Sequence, residues 1–327
     1  MTREAVLVAA ELRELARPGP EWPGGRETLW LEPTAAVPEE GRIVAFIPTV
    51  ARAVGETELD RLPGLRILAN YGVGVDNIDL GAAAARALTV TNTPDVLTDA
   101  TADRALALLL AAARRLREGL ALAAGGSWEG WHPTQLLGLG LRGRTLAILG
   151  AGRIGRAVTR RAVAFGMRIR YWSRSPAPDL EAEAGAERAA TLEEALRGAD
   201  AVSVHLPLTA ETRGLIGERE LGLLAEGAVL VNTARGGIVD AGALEEAVRA
   251  GRISAGLDVF DDEPRIPQGL RASPNAFVLP HLGSATREAR LAMWRVAADN
   301  VRRVLGGEPP ATPVGQRSSG RHAQGPD

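Results

Sequence analysis

The residues Gly150-Ala151-Gly152-Arg153-Ile154-Gly155 close the apolar run Leu146–Leu149 and open a helical pattern. Gly-x-Gly-x-x-Gly alone also fits an ordinary tight turn. Between a buried strand and a helix it has a sharper meaning. Gly150 permits the turn, Gly152 lets backbone approach a pyrophosphate, and Gly155 lets helix pack on strand. The helix N-terminus adds unpaired N–H groups and partial positive charge. The chemistry implied is dinucleotide binding. Other polar groups end plain aliphatic runs: Ser173-Arg174, His205-Leu206-Pro207, Asn232 to Gly237, Asp258 and His281. In an open α/β sheet, ligands bind beyond the carboxyl ends of the strands.

The elements that would place these groups alternate between short apolar runs and amphipathic stretches, the pattern of βα units and a parallel sheet. A first series has strands near 6–9, 43–47, 66–70 and 88–91, with helices near 55–61 and 80–86. Residues 17–42, rich in Pro, Gly and Glu, show no clear pattern. One long Ala/Leu-rich helix is expected over 101–124, too apolar for a surface helix, then a loop carrying Trp128 and Trp131. A second series has strands near 146–149, 168–172, 201–205, 228–232, 254–258 and 277–279. Its helices include 154–165, 241–250 and one opened by the capping-box match Thr191-Leu192-Glu193-Glu194. A last helix is expected from about Thr286 to Leu305, and a mobile tail over 306–327. The fold class is α/β, with two related parallel-sheet layers in one chain.

Bulk composition removes several alternatives. The 327 residues suffice for two domains, and a net charge of −2 offers no field toward nucleic acid or an anionic membrane. No apolar run reaches membrane-spanning length, and the N-terminal pattern is not that of a signal peptide. There is no cysteine, which excludes disulfides, thiolate nucleophiles and Cys-zinc sites, and no metal is expected. All 38 basic residues are arginine, which excludes Schiff-base lysines and Walker loops. A cytoplasmic setting fits this composition.

The chain resembles the D-isomer-specific 2-hydroxyacid dehydrogenase family, in its glyoxylate/hydroxypyruvate reductase branch. The likeness rests on NYGVGVDNID (70–79), NTPDVLTDATADRALALLLAAARR (92–115), GSWEGW (126–131), LRGRTLAILGAGRIGRAV (141–158), HLPLTAETRGLI (205–216), VLVNTARGGIVDAGAL (229–244), SAGLDVFDDEP (254–264) and VLPHLGSAT (278–286). These lie in family order across residues 40 to 305. The resemblance implies two Rossmann-like doubly wound parallel-sheet domains with an active-site cleft between them. Residues 1–97 and 284–327 would form a discontinuous substrate domain, and 98–283 an NAD(P)-binding domain.

By the same resemblance Arg235, Glu263 and His281 would be catalytic, and the N–H groups of Val73 and Gly74 would hold the substrate carboxylate with Arg235. The cofactor would meet Thr101, Gly150, Gly152, Arg153, Ile154, Gly155, Ser173, Arg174, His205, Leu206, Pro207, Thr212, Thr233, Ala234, Asp258, His281, Gly283 and Ser284. Asp258 would stand at the nicotinamide end. Hydride reaching a 2-keto carbon needs a proton at the developing alkoxide, which a protonated imidazole can donate. A neighbouring carboxylate favours and orients the imidazolium. A guanidinium can grip a carboxylate and polarise the carbonyl.

Plainer readings stand beside these. His281 could cap the last helix, Arg235 could bond turn carbonyls, and Glu263, beside Asp261-Asp262, could belong to a solvated loop. His205 suits a cofactor edge or a structural site; His132 and His322 read as surface groups, and Arg114, Arg115 and Arg117 as a solvated helix face. Trp128 and Trp131 fit core packing or, preferably, an interface of a homodimer. Against the branch, Asp95 stands where Gly is common, and Arg104 where an apolar residue is common. Both lie near the expected hinge and interface and bear on dimer detail.

Ser173 and Arg174 fall 18 and 19 residues past Gly155, and no acid occurs between Glu129 and Asp179. An NAD site wants an acid there for the ribose 2′-OH, so NADP is the preferred coenzyme, NAD the alternative. NADP-using members often add another basic residue, and Ala177 offers none. The expected reaction is reduction of glyoxylate or hydroxypyruvate. The alternatives are a D-3-phosphoglycerate dehydrogenase, for which Arg52 is a possible phosphate ligand, a D-lactate-type enzyme, and a dinucleotide-sensing corepressor-like scaffold.

Overall fold

The computed structural model describes residues 3–16 and 22–315. The chain divides into two compact units, residues 1–97 with 286–327, and residues 98–285. In the first unit, strands β1 (Ala5–Ala9), β2 (Glu27–Leu31), β3 (Ile43–Ile47), β4 (Ile67–Ala69) and β5 (Thr89–Thr91) form a parallel sheet. Its order is β2-β1-β3-β4-β5. β1 and β3 are buried along their whole length, which is why they read as unbroken apolar runs. β2, in the stretch where no element was expected, is an edge strand of mixed sequence, half-buried over most of its length. Its strand character comes from pairing with β1.

The second unit holds β6 (Thr145–Leu149), β7 (Arg168–Trp172), β8 (Glu187–Arg188), β9 (Ala201–Val204), β10 (Ala228–Asn232), β11 (Ile253–Leu257) and β12 (Ala276–Val278), all parallel. The order β12-β11-β10-β9-β6-β7-β8 reverses direction between β6 and β9. That switch point is where a doubly wound sheet opens a crevice for a ligand. β6 divides its side chains between two cores: Ala147 and Leu149 pack on one face, Leu146 and Ile148 on the other.

Three differences from the sequence reading each trace to particular hydrogen bonds. The helix expected over 101–124 is two helices, Thr98–Ala113 and Leu116–Ala124, broken at Arg115 with φ 52°. Leu139 N–H donates to Ala113 O (2.8 Å), and a Cβ on Gly138 would strike that same carbonyl. The returning loop thus satisfies the first helix's end and prevents continuation. Thr191 caps its helix by accepting from Glu194 N–H, but the Glu194 carboxylate bonds Ala190 N–H, one residue outside the cap. In the segment expected as a tail, Ala311 and Thr312 N–H both donate to the buried Asn300 Oδ1, and Val314 N–H donates to Val90 O. Composition cannot foresee a distant amide of this kind. Residues 316–327, with His322, lie outside the described residues. Among the described residues no helix is long and apolar enough to cross a membrane.

Candidate active site

The glycine turn follows β6 directly. Gly150 has φ 99°, and a Cβ there would meet His205 O at 2.6 Å, so the loops after β6 and β9 touch at the switch point. A Cβ on Gly155 would strike Gly150 O, whereas space before Gly152 is open. Helix Arg153–Ala164 starts here with Gly152 as its cap, no side-chain cap bond and no acid in its first turn. Its opening N–H groups suit an anion.

Ser173 and Arg174 follow β7. The structure adds a basic residue that the sequence reading lacked. Arg188, on the neighbouring edge strand β8, donates from Nη2 to Ser173 O at 3.4 Å. It makes no ion pair among the described residues, whereas nearby Arg156 and Arg160 pair with Asp179 and Glu183. Arg174's charge is felt by Glu211, whose carboxyl is lowered first by its Thr209 hydrogen bond. In the loop after β9, the Thr212 hydroxyl donates to Pro207 O (2.6 Å) and accepts from Thr209 N–H (2.8 Å). Thr212 therefore shapes the His205-Leu206-Pro207 loop. His205 Nε2 lies 2.8 Å from Ser203 Oγ, and burial pushes the imidazole down to about 3. It is neutral at working pH.

At the ends of β10, β11 and β12 the remaining groups gather. Asn232 Oδ1 accepts from Ala234 N–H (3.0 Å) and its Nδ2 donates to Arg235 O (2.8 Å), which fixes the turn carrying Thr233, Ala234 and Arg235. Arg235 Nη1 donates to Ala234 O (2.8 Å), so it does bond a turn carbonyl. A Cβ on Gly236 would overlap the Phe260–Asp261 backbone, so only glycine lets the Glu263 loop cross here. Glu263 Oε1 accepts from Phe260 N–H (3.0 Å), and Oε2 lies 2.7 Å from His281 Nδ1. Burial alone would raise the Glu263 carboxyl. The His281 hydrogen bond and charge, Phe260 N–H and the Arg235 charge outweigh it and hold it below the usual range.

His281 has φ 54° and its N–H donates to Asp258 O (2.8 Å). It does not cap the last helix. Thr286 does so, accepting from Ala289 N–H at 3.1 Å. His281 Nε2 has no hydrogen-bond partner among the described residues. Asp258 is fully buried; Oδ1 accepts from Leu282 N–H (2.8 Å) and Oδ2 has no hydrogen-bond partner among the described residues. Burial raises its carboxyl against the pull of Leu282 N–H and the His281 and Arg104 charges. Arg104, expected to bear only on dimer detail, thus acts electrostatically on Asp258. Gly283 stands against both Asp258 and Thr101, its would-be Cβ 3.3 Å from Asp258 Oδ2, and Ser284 follows it.

Residues 106–283 match the family profile described as D-isomer specific 2-hydroxyacid dehydrogenase, NAD binding domain. The chain belongs to this family. A glyoxylate reductase of Thermococcus litoralis is 46% identical over 294 residues, 86% of this chain and 88% of that protein. One from Aeropyrum pernix is 53% identical over 249 residues, 74% of each chain. The crystal structure of an NADPH-dependent glyoxylate/hydroxypyruvate reductase from Sinorhizobium meliloti, in complex with NADP and malonate, aligns with a TM-score of 0.85 at 36% identity. That alignment covers 96% of this chain and 97% of that one. The protein is an NAD(P)-dependent 2-hydroxyacid oxidoreductase that binds a nicotinamide dinucleotide.

The residues present fit such a dinucleotide. Thr233 Oγ1 and Asp258 Oδ2 are buried polar atoms without partners among the described residues, a state buried groups ordinarily avoid. Both sit at strand ends near the switch point, with open space before Gly152 at the same sheet edge. Asp95 of this 2-hydroxyacid dehydrogenase has φ 70°, a left-handed backbone that Asp tolerates.

Val73 and Gly74 lie in the first unit, in the turn after β4. Their N–H groups have no acceptor among the described residues. Sequence reasoning missed the asparagines beneath: Asn70 Nδ2 donates to Gly74 O (2.7 Å), Asn92 Nδ2 to Val73 O (2.8 Å), and Asn70 and Asn77 exchange amide bonds. Their recurrence around the glycine turn was the available signal. Other plain readings also change. Arg52 spends its guanidinium on the carbonyls of Glu32, Pro33 and Ala35, which removes it as a phosphate ligand. Arg117 is no solvated group, since Nη1 donates to Ala276 O (2.9 Å), and Arg115 pairs with Glu118. His132 is exposed, its ring bonded to the Thr134 hydroxyl.

Proposed function

We propose that the protein reduces glyoxylate or hydroxypyruvate to the D-2-hydroxy acid, with His281 as proton donor and NADPH as the preferred coenzyme. The observation that carries this reading is the Glu263–His281 contact, with Nδ1 engaged at 2.7 Å and Nε2 without a partner among the described residues. Glu263 is held ionised below the usual carboxylate range, so it favours the charged imidazole and fixes its tautomer. Bound at the β6–β9 switch point, the reduced coenzyme supplies hydride to C2 of the keto acid. His281 Nε2 gives its proton to the oxygen that becomes the hydroxyl, and the imidazole is left neutral. Arg235 and, in the first unit, the Val73 and Gly74 N–H groups are the proposed partners of the substrate carboxylate; the Arg235 charge also polarises the keto carbonyl.

NADP preference rests on the acid-free end of β7 and on Ser173, Arg174 and Arg188 as partners for a 2′-phosphate. The Sinorhizobium meliloti relative's NADP complex supports it. A homodimer is proposed from exposed apolar side chains between residues 116 and 137. Leu116, Leu120, Trp128, Trp131 and Leu137 are all exposed, Trp131 at 82%. The deciding experiment measures NADPH oxidation with a panel of glyoxylate, hydroxypyruvate, pyruvate and 3-phosphohydroxypyruvate. Highest kcat/KM for either of the first two supports the reading; preference for the phosphorylated acid, or no oxidation at all, overturns it.

A further inference from the structure

We infer that Asn92, buttressed by Thr312 from the C-terminal segment, is a positioning residue that aims the Val73–Gly74 N–H groups at the substrate carboxylate. The inference rests on the proposed carboxylate site. In a planar trans peptide the C=O and N–H point opposite ways, so anchoring one aims the other. Gly72 O accepts from Thr93 N–H at 2.9 Å, which turns the Val73 N–H away from the protein. Val73 O accepts from Asn92 Nδ2 at 2.8 Å, which does the same for the Gly74 N–H. A carbonyl that accepts a hydrogen bond also polarises its own peptide, which strengthens the opposite N–H as a donor.

Asn92 is itself held from the far side. Thr312 Oγ1 donates to Asn92 O (2.6 Å), and Asn92 N–H donates to Thr312 O (3.3 Å). Thr312 is seated on the fully buried Asn300, whose Oδ1 accepts from Thr312 N–H (3.1 Å) and whose Nδ2 donates to Thr312 Oγ1 (2.8 Å). A continuous chain of hydrogen bonds thus runs from the last helix through the C-terminal segment to the turn. Asn92 touches no reacting atom. Its effect is confined to substrates that carry a carboxylate.

The test compares glyoxylate with its methyl ester in the full-length protein. Asn92→Ala should narrow the acid-over-ester preference in kcat/KM by about tenfold, through KM for the acid, because a charged hydrogen bond has lost its alignment. The KM for NADPH should stay unchanged. Thr312→Val should give a smaller loss of the same kind, and Thr312→Ser should restore the parent's preference; these variants decide the matter if Asn92→Ala fails to fold. A parent that strongly prefers the acid, with variants that keep the full preference, overturns the positioning role and leaves the carboxylate site standing. A rise in KM for NADPH parallel to that for the acid overturns it as well. A parent with no acid preference overturns the carboxylate site and the positioning role together.

Discussion

Glu263 stands between a backbone N–H and an imidazole: Oε1 accepts from Phe260 at 3.0 Å while Oε2 meets His281 Nδ1 at 2.7 Å. A carboxylate fixed at both oxygens cannot swing away, so the ring keeps Nε2 presented. Glu263→Gln keeps the shape and removes the charge. Turnover should fall about tenfold or more, because the ring loses the charge that holds and orients it. The folded value of Glu263 is depressed, so its stabilisation is fully present above the ordinary carboxylate range and is lost as pH falls through the folded value. Unchanged kcat would remove Glu263 from the mechanism.

His281→Ala should lower kcat for reduction by about two orders of magnitude or more, the usual scale for loss of a general acid. Coenzyme affinity, measured by NADPH fluorescence, should barely change. Near-normal turnover would mean that the proton comes from elsewhere.

The ratio of kcat/KM for NADPH over NADH should exceed one in the parent. It should fall in both Arg174→Ala and Arg188→Ala, each removing one guanidinium from the Ser173 region. A parent that favours NADH shows that the end of β7 reads a ribose hydroxyl. A parent that favours NADPH, with an unmoved ratio in Arg188→Ala, leaves the work to Ser173 and Arg174.

His205 gives a pH signature of stability. Burial depresses its imidazole from the ordinary 6.5 to about 3. Between those values the unfolded chain takes up a proton that the folded protein refuses, so stability falls as pH drops through this window. His205→Gln removes that term. Its melting temperature relative to the parent should therefore rise steadily from pH 7 to pH 4, and a constant difference across the range would contradict the buried neutral ring.

The exposed Trp128–Trp131 loop should be covered in solution. Light scattering should give about twice the 34.3 kDa chain mass at micromolar concentration, and Trp131→Arg should shift it toward a single chain. A parent with single-chain mass would leave these apolar groups facing water and remove the dimer.

The sequence by itself determined the parallel α/β class, the glycine turn after β6 and the polar groups at the strand ends. These are written in local patterns, since a buried parallel strand must be apolar throughout and a phosphate turn must be glycine-rich. Arg235 and His281 stood out at strand ends but took their catalytic roles from the family likeness, which alone singled out Glu263; their spacing of 28 and 18 residues implies no contact on its own. Tertiary structure alone decided what depends on partners distant in the chain. β2 became a strand by pairing with β1, and the long apolar helix broke where Leu139 returned to Ala113. Arg188 came beside Ser173 because β8 lies beside β7, and Thr312 was seated by an asparagine on the last helix. Each of these outcomes rests on a hydrogen bond between groups whose encounter is set by sheet order and packing, which no local window contains.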